Sequence, residues 1–70
     1  MSDQIQITVN GKDRIVAANS TINDLLANLQ LAPEKVAVEC NKNIVKKSGY
    51  DTSTLHDGDR LEIVTFVGGG

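Results

Sequence analysis

Residues 55–70 read LHDGDRLEIVTFVGGG, and this stretch decides the fold. It begins with a cluster of residues that favour turns, HDGD. Leu61 and Ile63 then alternate with Glu62 and Val64, which predicts a strand with one buried face. Because this last strand is apolar, we expect it to lie in the middle of a sheet. The rest of the chain must therefore supply strands on both sides of it.

The start of the chain predicts a hairpin that the last strand can join. Residues 4–9, QIQITV, alternate polar and apolar side chains, as a half-buried strand does. Asn10 and Gly11 follow, and both accept the positive φ angles of a type I′ turn. A second strand is expected over residues 12–17.

A helix is predicted that is capped by Ser20 or Thr21 and ends near Gln30. Thr21 with Asp24 three residues later resembles a capping box, with Asp in place of the usual Glu. The apolar residues of this segment recur at helical spacing, at Ile22, Leu25, Leu26 and Leu29. Pro33 should stop the helix, because the residue before a proline avoids the α conformation.

A second hairpin is predicted after the helix. The alternating segment VAVEC at residues 36–40 forms a third strand, and a turn leads to a short fourth strand at Ile44 and Val45. Residues 46–54 are polar and loop-like, and Leu55 fills the core beneath this loop.

The predicted order is therefore β-β-α-β-β-β. A mixed sheet that packs one face on the single main helix buries every apolar stripe. The last strand then runs parallel to the first, between the two hairpins. This predicts an α+β protein of the β-grasp type, with residues 1–67 as the domain and residues 68–70 as a flexible C-terminal glycine tail.

The composition argues against several classes of function. The net charge is -2, the basic residues are scattered and two aromatic residues are present, so no nucleic-acid surface is expected. No apolar run reaches the roughly 20 residues of a membrane span and no signal peptide is evident, so we expect a soluble, cytoplasmic chain. We expect the chain to be monomeric on its own.

The inventory of reactive side chains predicts a carrier or binding module rather than an enzyme. Cys40, the single cysteine, lies in an apolar run and is expected to be a buried core thiol. His56 lies beside a turn and is expected to be a solvated loop residue, so no metal site is predicted.

The glycine tail is the chemically distinctive feature. Gly68, Gly69 and Gly70 form a thin stalk without side chains, and we expect it to be disordered and to carry a free carboxylate. A carboxylate is a poor electrophile, and its activation as an acyl-adenylate makes acyl transfer possible.

The chain resembles the small sulfur-carrier proteins of thiamin biosynthesis, which share the ubiquitin-like β-grasp fold. The resemblance covers the full chain. Its marks are VNGK (9–12), STINDLL (20–26), VAVECN (36–41), LHDGDRLEIV (55–64) and FVGGG (66–70).

The resemblance implies a defined chemistry at Gly70. An adenylating partner related to ubiquitin-activating enzymes uses ATP and Mg²⁺ to convert this glycine to an acyl-adenylate. A persulfide sulfur then replaces AMP and gives a thiocarboxylate, and thiazole synthase receives the sulfur. Gly69 is the other half of the family's Gly-Gly, and Gly68 lengthens the stalk. The carrier itself binds no cofactor.

Partners must also recognise the body of the carrier. On the last strand Val64 and Phe66 are expected to face away from the helix, and we predict that they dock partners, with Val67 and Gly68 beside them.

Other functions remain open for the same fold and tail. One is the small subunit of molybdopterin synthase, and others are the carriers for tRNA thiolation or cysteine synthesis. A ubiquitin-like modifier would instead join Gly70 to a lysine. A plain β-grasp interaction domain would not use the tail.

Overall fold

Five strands, one α-helix and two short 3-10 helices make up the part of the chain that the computed structural model describes, residues 3–66. The elements are β1 (Gln4–Val9), β2 (Lys12–Ala17), α1 (Ile22–Asn28), a 3-10 helix (Pro33–Lys35), β3 (Val36–Cys40), β4 (Asn43–Val45), a second 3-10 helix (Lys47–Gly49) and β5 (Arg60–Thr65). The predicted order of the main elements is confirmed.

The strands form one mixed sheet in the order β2-β1-β5-β3-β4. The last strand, β5, lies in the middle, parallel to β1 and antiparallel to β3. Both hairpins have two-residue loops with positive φ, at Asn10 (51°) and Gly11 (83°) and at Asn41 (53°) and Lys42 (70°). This arrangement confirms the predicted β-grasp.

The core lies between the sheet and α1. Strand β1, the helix and β5 each contribute a fully buried side chain, and these are Ile7, Leu26 and Leu61, at most 1% exposed. Leu55, which was expected to fill the core beneath a loop, is 3% exposed. The other buried apolar residues of the described chain are Val9, Ile22, Leu25, Val36, Val38, Tyr50 and Ile63.

The capping box that was predicted for α1 is present. The Asp24 N–H donates to Thr21 Oγ1 at 3.1 Å, and the Thr21 N–H donates to Asp24 Oδ2 at 2.9 Å. These reciprocal bonds satisfy two backbone donors that an uncapped helix would leave free.

The other end of the helix lies within two residues of the prediction, but the reason for it differs. Helix α1 ends at Asn28, and Gln30 adopts a left-handed conformation with φ of 61°. The Leu31 N–H donates to Leu26 O and the Gln30 N–H to Ala27 O, which is a Schellman motif. The helix is therefore closed by its own hydrogen bonds, and Pro33 opens the following 3-10 helix instead.

The segment 46–54, predicted as a polar loop, contributes to the core. It contains the second 3-10 helix and then Tyr50, which is 3% exposed. The Tyr50 hydroxyl donates a long hydrogen bond of 3.4 Å to Val36 O, and Tyr50 O accepts from the Asn23 N–H at 2.9 Å. This tyrosine thus ties the loop to both β3 and α1.

Candidate functional site

The candidate docking residues Val64 and Phe66 lie at the end of β5 and directly after it. Leu61 and Ile63 face the helix, whereas Val64 is 61% exposed and Phe66 is 57% exposed. The predicted outward orientation of Val64 and Phe66 is therefore observed. The other predicted site residues, Val67 and Gly68 to Gly70, lie outside the described residues.

Val64 belongs to the sheet surface that faces away from α1, which we call the outer face. The register places Ala37 of β3 directly opposite Val64, and both residues are exposed. Ile44 on β4 and Ile15 on β2 lie on the same face, at 76% and 58% exposure. The outer face is thus apolar at several positions, and Val64 is central in it.

Charged residues lie on the outer face at the start of β5. Glu62 lies directly opposite Glu39 of β3, and this like-charge pairing is unfavourable for the sheet. The two carboxylates line a surface depression of about 360 Å³ together with Asn41, Lys42 and Arg60. A partner that meets this face therefore meets both charge signs beside the apolar residues.

Asn41, in the turn between β3 and β4, fixes the start of β5. Its backbone N–H donates to Arg60 O at 2.8 Å, and its Oδ1 accepts from the Arg60 N–H at 3.0 Å. Its Nδ2 donates to Asp59 Oδ1 at 3.0 Å. One turn residue therefore makes three hydrogen bonds to residues 59–60.

Asn10, in the turn between β1 and β2, fixes the middle of β5 in the same way. Its backbone N–H donates to Leu61 O at 2.9 Å. Its Oδ1 accepts from the Ile63 N–H at 2.8 Å, and its Nδ2 donates to Ile63 O at 3.0 Å. Further along, the Phe66 N–H donates to Lys35 O at 2.9 Å. Sequence reasoning gave Asn10 a conformational role only and missed these bonds.

The HDGD turn before β5 is bound to β1. Asp57 Oδ1 accepts from the Gln6 N–H at 2.8 Å, and the Gly58 N–H donates to Gln6 O at 2.7 Å. Asp59 Oδ2 accepts from the His56 N–H at 2.8 Å. The His56 side chain is 77% exposed, as expected for a solvated loop residue. These bonds set where β5 begins.

Cys40 differs from the expected buried thiol, since it is half-buried at the edge of the core. Its burial raises the pKa of the thiol, and the charge of Asp59 and a hydrogen bond to that side chain raise it further. Cys40 is therefore a neutral thiol near neutral pH.

Within residues 3–66, no group of three or more His, Cys, Asp or Glu side chains is placed to hold a metal ion. No helix in this part of the chain is long and apolar enough to cross a membrane.

Comparison with known proteins identifies the family. The ThiS family model matches residues 7–70. The sulfur carrier protein ThiS of Bacillus subtilis is 48% identical over 65 residues, which are 91% of this chain and 98% of that protein. A crystal structure of the thiamine biosynthesis protein ThiS from Geobacter metallireducens has a TM-score of 0.79 and 38% identity, and the match covers 94% of this chain and 100% of that one.

A second kind of relative is much longer. The thiazole synthase of Paramagnetospirillum magneticum is 46% identical over 66 residues, which are 94% of this chain but 20% of that protein. This chain therefore spans a fifth of the length of that relative. The family match, the near full-length similarity to the Bacillus protein and the shared fold agree, and the chain belongs to the ThiS family.

Proposed function

We propose that this chain is a sulfur carrier of thiamin biosynthesis that acts as a co-substrate of partner enzymes and not as a catalyst. The observation that carries the proposal is the 48% identity, over almost the whole of both chains, to a protein named sulfur carrier protein ThiS. The sulfur would be carried at Gly70, next to Gly69.

The proposed chemistry begins with the Gly70 carboxylate. Its oxygen attacks the α-phosphorus of ATP, which the adenylating partner binds with Mg²⁺, and pyrophosphate leaves. A persulfide sulfur then attacks the acyl carbon and AMP leaves. A thiol then attacks the outer sulfur of the resulting acyl disulfide, a new disulfide forms, and the thiocarboxylate of the carrier is released. All catalytic groups and cofactors in this scheme belong to the partners.

The recipient of the sulfur is proposed to be thiazole synthase, in the cytoplasm. This proposal is supported by the longer relative, a protein named thiazole synthase that contains a region 46% identical to this chain. A carrier region within the same polypeptide as its recipient would be at high effective concentration, which favours transfer. The same proximity is provided by docking where the two are separate proteins.

The docking surface is proposed to be the outer face near the end of β5. Phe66 and Val64 are exposed there, and aromatic side chains are efficient anchors in protein interfaces. Both side chains lie a few residues before the C-terminal glycines 68–70, which we call the arm, so a partner that holds these side chains has the arm within reach. Val67 and Gly68 would extend this contact.

The decisive experiment is intact-protein mass spectrometry after incubation with the adenylating partner, ATP, Mg²⁺ and a persulfide donor. We expect the mass gain of one oxygen-to-sulfur exchange on the free protein, and no gain when Gly69 and Gly70 are deleted. Higher-mass conjugates on a denaturing gel would instead identify a protein modifier. Retention of a molybdopterin-synthase large subunit but not of thiazole synthase in a pull-down would assign the carrier to another pathway.

A further inference from the structure

We propose that Asn10 is a positioning residue for the arm that follows β5. Its carboxamide takes the place of a strand residue beside Ile63 and so fixes, from the β1 side, the segment that carries Val64 and leads to Phe66. The inference rests on the proposed carrier function and assigns to it a residue far from the arm in sequence.

The geometry shows a gap in the sheet that the side chain fills. Strand β1 pairs with β5 at two positions, Thr8 with Arg60 and Val9 with Leu61, and then the chain turns away at Asn10. The backbone N–H and C=O of Ile63 therefore have no β1 residue beside them. The Asn10 carboxamide supplies both partners, with an oxygen at 2.8 Å and a nitrogen at 3.0 Å.

Only a carboxamide of this length reproduces a peptide group, since it offers one acceptor and two donors on one short planar group. Both hydrogen bonds are partly buried, so water replaces them poorly. An aspartate at position 10 would keep the shape but place an acceptor against Ile63 O. The residue must also accept a φ of 51°, which Asn does more readily than most residues.

The bonds lie where they can control the docking residues. Ile63 directly precedes Val64, and on the other side of the strand the Phe66 N–H is held by Lys35 O. Asn10, in the turn after β1, and Lys35, directly before β3, thus restrain residues 63–66 from opposite sides. Without the Asn10 bonds this segment is held from the β3 side alone, and the positions of Val64 and Phe66 are less tightly fixed.

The test compares two glycine variants at equivalent turn positions. Asn10→Gly and Asn41→Gly each remove one carboxamide that accepts one N–H and donates once, and glycine tolerates the positive φ at both sites. Asn41 binds Arg60, which lies three residues before Ile63 and therefore about 10 Å further from the arm along the strand. The readouts are KM and kcat for adenylation of the carrier, and hydrogen exchange of the Ile63 amide.

We expect Asn10→Gly to raise KM by about five- to tenfold, with kcat within about twofold of the parent, because docking and not chemistry is disturbed. Asn41→Gly should leave KM within about twofold. Exchange at Ile63 should accelerate in Asn10→Gly alone. Asn10→Asp keeps the side-chain size and the acceptor for the Ile63 N–H but places an oxygen against Ile63 O, so it should also raise KM. Its KM replaces that of Asn10→Gly if circular dichroism shows the glycine variant to be unfolded.

Equal KM values for the Asn10 and Asn41 variants, or faster Ile63 exchange with an unchanged KM, would overturn the positioning role. Failure of the parent protein to be adenylated at all would instead refute the proposed function, so the two failures are distinct.

Discussion

Replacement of Phe66 by alanine should weaken docking to the adenylating partner far more than it weakens the fold. Phe66 is 57% exposed, and of the roughly 200 Å² of a phenylalanine side chain this leaves about 110 Å² for a partner to cover. At about 25 cal/mol per Å² that area corresponds to about 3 kcal/mol. Alanine retains part of the contact, so we expect a loss of about 2 kcal/mol, or about a 30-fold rise in Kd.

The assay is isothermal titration of the partner with each carrier variant, at a temperature where both variants are folded. Ile15→Ala is the matched control, because Ile15 is 58% exposed on the same outer face but two strands away, on β2. This control should leave Kd within about threefold. If Phe66→Ala changes Kd no more than Ile15→Ala does, the docking surface does not include the end of β5.

Three further predictions concern the fold itself. Leu26→Ala should cost about 3 kcal/mol of unfolding free energy, since Leu26 is 0% exposed, and a cost below about 1 kcal/mol in a urea titration would show that the core collapses around the gap. Lys42 adopts a φ of 70°, which costs a residue with a Cβ about 1 kcal/mol, so Lys42→Gly should raise Tm by several degrees. An unchanged or lower Tm in calorimetry would contradict this. The pKa of the Cys40 thiol is raised in the folded state, so the thiol ionises first in the unfolded chain and the free energy of unfolding should fall as the pH rises above the ordinary pKa of a cysteine. Cys40→Ala should flatten this dependence in denaturant titrations between about pH 8 and pH 10. An equal slope in the variant would show that Cys40 does not cause it.

The strands and their order could be predicted because each carries a periodic pattern. In β5, burial of Leu61 and Ile63 and exposure of Val64 follow from simple alternation along the strand. The central place of β5 followed from its apolar composition and from the two hairpins that had to lie on either side of it.

The features that sequence reasoning missed depend on contacts between distant residues. Tyr50 lies in a polar segment without any periodicity, and it is buried because Val36 and Asn23 meet it in three dimensions. The end of the helix was predicted from Pro33, but its closure by a left-handed Gln30 was not, because that conformation usually favours glycine. The bonds from Asn10 to Ile63 span 53 residues and follow only from the register of β1 against β5.

The middle position of β5 also determines how the molecule can be made. Strands β1 and β2 form one hairpin and β3 and β4 another, and in residues 3–66 the two hairpins are joined in the sheet through β5 alone. Isolated two-stranded hairpins are at best marginally stable in water. A nascent chain on the ribosome that has not yet released Arg60 to Thr65 therefore has no complete sheet, and it exposes strand edges that chaperones and proteases can recognise. The sheet can therefore be completed only after β5 has emerged from the ribosome.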